Sequence, residues 1–179
     1  IKERLQENKV HISFEVFPPK TDAGFESVMG AVEKIAALKP SYISVTYGAG
    51  GGTSKNTVKI ASHIKKDLGV PSLAHLTCAS STREEVHAVI DRLKEEGIEN
   101  ILALRGDIPK DASFPIPGQY HYASELIRDI KEQGDFCIGA ACYPEGHVES
   151  ASKDEDILHL KEKVDCGVDF LTTQMFFDN

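Results

Sequence analysis

The stretch Asn100-Ile101-Leu102-Ala103-Leu104-Arg105-Gly106-Asp107 decides the reading of this chain. Four apolar residues in succession read as a strand buried on both faces. The run stops abruptly on an arginine, a glycine and an aspartate, and a loop carrying Pro109, Pro115 and Pro117 follows. In parallel α/β folds, ligands sit at the carboxyl ends of the strands. There Arg105 can fix an anion, Gly106 lets backbone and ligand approach closely, and Asp107 can accept hydrogen bonds or repel a developing negative charge. Taken alone, the tripeptide reads more plainly as an Asx-type turn with a surface ion pair.

The surrounding chain repeats this unit. A short polar helix (2–8) precedes an alternating strand (10–17) that Pro18-Pro19 ends. Thr21 or Asp22 can cap the next helix, whose apolar positions Phe25, Val28, Val32, Ile35, Ala36 and Leu38 follow helical spacing. A second strand (42–47) runs into Gly48-Ala49-Gly50-Gly51-Gly52, then a helix capped near Thr53 or Ser54 that Gly69 stops. A third strand (72–77) leads to Ser81-Thr82-Arg83-Glu84-Glu85, a capping box opening a helix that ends before Gly97. The strand ends Phe17, Tyr47, Thr77 and Asp107 fall 30 residues apart, Tyr143 comes 36 later and Gln174 another 31. Six strand–helix units of this length imply parallel strands with right-handed crossovers, the rhythm of a (β/α)8 TIM barrel. An open doubly wound sheet is the alternative, but no strand is followed by GxGxxG or a Walker motif. A complete barrel needs two more units. The expectation is therefore one barrel domain over residues 1–179, incomplete at its C-terminus, with about six of the eight units present.

Composition narrows the function. A net charge of −8, without a basic run, argues against a nucleic-acid binder. No apolar run reaches membrane-spanning length, so no membrane partner is expected. Cys78, Cys137, Cys142 and Cys166 form no CxxC pair and read as reduced thiols, which places the protein in the cytoplasm. No metal is expected; zinc on Cys78 or Cys142 with a nearby histidine is the weak alternative. No lysine falls within an expected strand, which argues against a Schiff-base lyase.

If the six strands are parallel, one end of the sheet collects Glu15, Thr46, Tyr47, His75, Thr77, Arg105, Asp107, Tyr143, Glu145, His147 and Gln174. Polar residues gathered at that end read as an active site. Glu15 lies inside a strand between Phe14 and Val16. A carboxyl in an apolar pocket holds its proton and can act as a general acid; a barrel glutamate paired with a core arginine such as Arg105 is the plainer reading. His75 alone reads as a hydrogen-bonded core histidine, and Tyr143-Pro144-Glu145-Gly146-His147 as a turn with a packed tyrosine. Asp156, His159 and Lys163 share one face of a helix over 153–165.

These pieces together resemble the methylenetetrahydrofolate reductase family. They are Ser-Phe-Glu-Val-Phe-Pro-Pro (13–19), Ser-Val-Thr-Tyr-Gly-Ala (44–49), His-Leu-Thr-Cys (75–78), Ala-Leu-Arg-Gly-Asp (103–107), Tyr-Ala-Ser-Glu-Leu (122–126), Ala-Cys-Tyr-Pro-Glu-Gly-His (141–147) and Thr-Gln-Met-Phe-Phe-Asp (173–178). Each is weak alone; seven in order are specific. The resemblance implies a barrel holding FAD, with folate substrate and reduced nicotinamide as partners, and a homo-oligomer. By resemblance Glu15 is the general acid that opens the folate ring, and Asp107 the carboxylate beside flavin and folate. Thr46, Tyr47, Ala49, His75, Leu104, Arg105, Gly106, Tyr122, Ala123, Ala141, Tyr143 and His147 match cofactor contacts. Asp156, His159 and Lys163 match the ribose, diphosphate and adenine end, and Gln174 the folate contact, with Glu15, Thr46 and Asp107 also near substrate. The alternative is a non-catalytic partial barrel that keeps the motifs but binds flavin weakly or not at all, because its first and last strands have one neighbour each.

Overall fold

The computed structural model describes residues 1–19, 21, 24–48, 54–108 and 114–177. Its strands are β1 (Ser13–Val16), β2 (Tyr42–Val45), β3 (Ser72–Thr77), β4 (Asn100–Leu104), β5 (Cys137–Cys142) and β6 (Phe170–Thr173). They form one sheet in the order β1-β2-β3-β4-β5-β6, and every adjacent pair is parallel. Unbroken chain order is the winding of a barrel wall. A doubly wound sheet reverses order at a switch point, and no reversal occurs here. The six units are consecutive units of a (β/α)8 barrel, as the thirty-residue rhythm implies.

Helices alternate with the strands: α1 (Lys2–Leu5), α2 (Phe25–Ala36), α3 (Ser54–Lys66), α4 (Arg83–Glu95), α5 (Ala123–Gln133) and α6 (Lys153–Asp165). The capping box read at Thr82 is present: its hydroxyl accepts from Glu85 N at 3.2 Å, and its own N–H donates to Glu85 Oε2 at 2.9 Å. Gly69, at φ +66°, turns the chain after α3. The cap of α2 is Gly24 rather than Thr21, and Asp22 lies outside the described residues, as does Thr53 before α3. No helix among the described residues is long and apolar enough to cross a membrane.

Strand alternation divides the sheet into two faces. Val16, Ile43, Val45, Ala74, Leu76, Ile101, Ala103, Ile138 and Ala140 pack with Ile64 of α3, Ile90 and Leu93 of α4, and Leu126 and Ile130 of α5. The intervening residues Glu15, Ser44, Leu73, His75, Leu102 and Gly139 belong to the other, inner face. Burying the helix-facing cluster is the main hydrophobic drive for the fold.

Two inner-face residues are constrained by space and solvent. A Cβ on Gly139 would lie 2.5 Å from the Phe170 ring and 3.0 Å from Leu102 Cδ1, so the missing side chain of β5 makes room for the aromatic ring of β6. His75 is buried, and loss of solvent pushes its pKa down to about 4. It is therefore neutral near pH 7.

The open flanks differ from the sequence reading in extent. The first strand covers 13–16 rather than 10–17: Val10, Ile12 and Phe17 are exposed, and among the described residues β1 pairs with β2 alone. Leu171, Met175 and Phe177 are exposed at the other edge. At the amino-terminal end of the sheet, α1 is tied across the structure. The Ile1 ammonium donates to Asn100 Oδ1 at 3.1 Å, and Lys2 Nζ to Asp169 Oδ1 at 2.9 Å. Asp169 also accepts from Ile138 N at 2.9 Å and from Lys131 Nζ at 3.2 Å. The first and sixth units thus share one carboxylate.

Two outcomes follow from the inner face. Gly139→Ala must push Phe170 aside, and overpacking of this kind costs about 1–3 kcal/mol, read as a lower urea midpoint; an unchanged midpoint would show that the ring moves freely. His75 has a lower pKa folded than unfolded, so the unfolded chain binds more protons between the two values. Stability is full above pH 6.5 and falls as pH drops toward 4, by at most about 3 kcal/mol. Urea titrations across that range should show the loss, and His75→Gln should remove its share.

Candidate active site

The carboxyl end of the sheet is built on the turn after β4. The Arg105 carbonyl accepts from Cys78 N at 3.1 Å and Ala79 N at 2.8 Å, which knits the ends of β3 and β4 together. Gly106 has φ +82°, and a Cβ there would lie 2.8 Å from Thr77 Cβ. Both the backbone conformation and the close approach therefore require glycine. Asp107 emerges exposed beyond this fixed turn.

Around it lies a cleft of ≈ 570 Å³ that draws residues from five successive units. It is lined by Tyr47 after β2, Thr77 of β3, Leu104, Arg105, Gly106 and Asp107 after β4, Ala141 and Tyr143 from β5, and Gln174 after β6. Tyr122 and Ala123 at the start of α5, His147 in the loop after β5, and Asp156, His159 and Lys163 on one face of α6 complete the wall. A flat sheet could not bring strand ends this far apart in order to one cleft, so its curvature belongs to the site. The volume lies within the ~300–1,000 Å³ typical of small-molecule sites.

The charges of this cleft are not arranged as the sequence suggested. Arg105 forms a two-pronged pair with Glu149, Nη1 to Oε2 at 2.6 Å and Nη2 to Oε1 at 2.7 Å. Neither a free anion receptor nor a partner for Glu15, its guanidinium is held more firmly protonated by Glu149, and it holds that carboxylate below the usual range. Lys163 is half-buried and donates to the Ala141 carbonyl at 2.8 Å; burial draws its pKa below the ordinary lysine value, against the pull of Asp156. Ser150 Oγ donates to Asp156 Oδ1 at 3.2 Å, and Ser152 caps α6 by accepting from Glu155 N at 3.1 Å. The Tyr143 and His147 rings meet edge to face at 4.7 Å. Burial also raises the Tyr47 hydroxyl.

Three expected site residues stand apart from the cleft wall. Glu15 and His75 lie on the inner face, and Thr46 continues β2 there: its N–H donates to the Val16 carbonyl at 3.0 Å, and its carbonyl accepts from Thr57 Oγ1 at 2.9 Å. The side chain of Glu15 is 47% exposed, so the apolar pocket expected around it is absent over these residues. Its Oε2 accepts from Ser44 Oγ at 3.4 Å and lies 3.4 Å from His75 Nε2. That second contact is not an ion pair, because buried His75 is neutral, and among the described residues its Nε2 makes no hydrogen bond. Ala49 lies outside the described residues. Sequence reasoning missed Glu149, Ser150 and Ser124 of the cleft. Nothing local marks Glu149; its partner is 44 residues away. Cys78, beside the Arg105 carbonyl, is buried and its thiol is pushed up to about 12, so it is an inert packing group.

Comparison with known proteins places this geometry. The family model described as "Methylenetetrahydrofolate reductase" matches residues 1–179. The "5,10-methylenetetrahydrofolate reductase" of Pectobacterium carotovorum subsp. carotovorum is 39% identical over 172 residues, covering 96% of this chain and 56% of its own. "Methylenetetrahydrofolate reductase 1" of Schizosaccharomyces pombe is 43% identical over 175 residues, covering 95% of this chain and 29% of its own. The chain thus spans about half the length of the bacterial relative and under a third of the yeast one. Among solved structures, a 2,3-dimethylmalate lyase of the PEP mutase/isocitrate lyase superfamily superposes with a TM-score of 0.63 at 11% identity, covering 99% of this chain and 62% of its own, a likeness of fold alone. The match over the full 179 residues, with relatives 39% and 43% identical over nearly all of this chain, shows that the chain belongs to the methylenetetrahydrofolate reductase family.

Proposed function

We propose that this chain carries the catalytic face of a flavoprotein oxidoreductase that reduces 5,10-methylenetetrahydrofolate to 5-methyltetrahydrofolate with NAD(P)H through FAD. One observation carries the reading: most of the residues matched to the family's cofactor contacts, drawn from five units, line a single cleft at the carboxyl end of the sheet, with Thr46 and His75 apart from it.

The residues present suit FAD. The cleft draws on residues from the end of β2 to α6, with aromatic side chains at Tyr47, Tyr122 and Tyr143 and a half-buried cation, Lys163. Lys163 would receive the diphosphate as a point charge, with Asp156 and His159 toward the ribose and adenine. Gly106 and Asp107 would meet the flavin ring. FAD, when bound, supplies the hydride relay from nicotinamide to folate. Asp107 would set a carboxylate beside the flavin ring and so tune its potential. Glu15, beside neutral His75 and the Ser44 hydroxyl, would act as the general acid toward the folate ring nitrogen as the ring opens. Gln174 and Thr46 would orient folate and nicotinamide. Four unpaired thiols suit the cytoplasm, and a homo-oligomer rests on the family resemblance alone.

The exposure of Glu15 and the prior pairing of Arg105 with Glu149 favour the second reading, a partial barrel that keeps the motifs but binds flavin weakly or not at all. A flavin titration followed by absorbance separates the two: stoichiometric, tight FAD supports the reductase, and no uptake supports the non-catalytic module.

Glu15→Gln should leave flavin binding and flavin reduction by nicotinamide intact while folate turnover falls about 10²–10⁴-fold. Stopped-flow of the two half-reactions reads this, and equal losses in both would assign Glu15 a structural role. Asp107→Asn should raise the midpoint potential of the bound flavin, and an unchanged potential in spectroelectrochemistry would refute the electrostatic role of Asp107.

A further inference from the structure

We propose that Glu149 is a positioning residue of the cleft, a latch whose carboxylate grips Arg105 and fastens the loop after β5, with its Tyr143–His147 wall, to the end of β4. The proposal deepens the functional reading above, since the ligand named in its test rests on that reading.

The two halves of the latch differ in rigidity. Arg105 is fixed: its carbonyl accepts two backbone N–H groups from Cys78 and Ala79, the following Gly106 is wedged against Thr77, and its guanidinium lies 5.9 Å from the Phe114 ring. Its side chain is 20% exposed, against 54% for Glu149. Glu149 belongs to a loop whose other hydrogen bonds close on itself or on the first turn of α6. Gly146 N donates to the Tyr143 carbonyl, Ser150 N to the His147 carbonyl, and Glu149 N to His147 Nδ1 at 3.2 Å. Ser150 Oγ and Ala151 N reach only Asp156 and Glu155. Among the described hydrogen bonds, the pair to Arg105 is the one that carries this loop to another unit.

A two-pronged guanidinium–carboxylate pair fixes direction as well as distance. Two consequences follow. The Tyr143–His147 pair is held over the cleft before a ligand arrives, which lowers the ordering that binding requires. The charge of Arg105 is also neutralised internally, leaving Lys163 to meet an anionic diphosphate.

Hydrogen exchange of the loop and FAD titration, on the full-length protein, test the latch together. In Glu149→Gln the amides of 143–152 should exchange about tenfold faster while β3 and β4 keep their protection. FAD affinity should then drop about tenfold, because the closed loop is populated less. Arg105→Lys keeps the charge but loses the fork and should loosen the same loop. The double variant should loosen it no further than either single one, since both remove the same interaction. Unchanged loop exchange in Glu149→Gln, additive effects in the double variant, or a loosened loop with unaltered FAD affinity would each overturn the proposal. Tighter FAD binding by Glu149→Gln would also overturn it, marking Glu149 as a competitor for Arg105. If the unaltered protein takes up no FAD, the functional reading fails, and the loop exchange still decides whether the latch exists.

Discussion

All six strands run in one direction and in chain order, and the rest of the structure follows from that constraint. A parallel ladder obliges each connection to return the chain to the same end of the sheet. Every unit therefore delivers its strand end, and the loop that follows, to one side. Helices must occupy the returns, which covers the outer face with Ile64, Ile90, Leu126 and their neighbours and leaves the inner face to Glu15, Ser44, His75 and Gly139. Cleft and core are two outcomes of one winding. Among the described residues β1 and β6 each pair with one strand, and exposed apolar residues lie beside both.

Electrostatics within the site reflect solvent more than formal charge. Lys163 is a desolvated cation on the wall, held by a backbone carbonyl rather than by a carboxylate. Arg105, the more obvious cation, is neutralised by Glu149 before any ligand arrives. His75, which could have paired with Glu15, is kept neutral by burial, so that contact is one of orientation and not of charge. These charged or titratable groups are thus set apart by what each touches and by how far each is withdrawn from solvent.

Much of this was legible in the chain. The thirty-residue spacing of strand ends identifies the barrel winding because each unit has a similar strand and helix length. Thr82 and Glu85 specify a helix start because a capping box is satisfied by neighbours three residues apart. The spacing of Asp156, His159 and Lys163 sets them on one helical face for the same local reason, and all three line the cleft. Errors arose where local pattern meets solvent. Val10, Ile12 and Phe17 alternate like a strand, yet pairing stops at Ser13 and Val16, where β2 can meet them. Glu15 sits between apolar neighbours in sequence, yet those side chains point to the opposite face from its own, so sequence adjacency does not make an apolar pocket.

The sequence by itself determined the periodic elements, their parallel winding and the residue types gathered at one end, because these depend on spacings within a single unit. Tertiary structure alone decided which charges meet. Arg105 and Glu149 are 44 residues apart, Glu15 and His75 come from strands separated by another strand, and Gly139 is required by a ring from the next strand. Those encounters depend on the curvature and register of the sheet, which sum many small backbone preferences and are written in no local stretch of the chain.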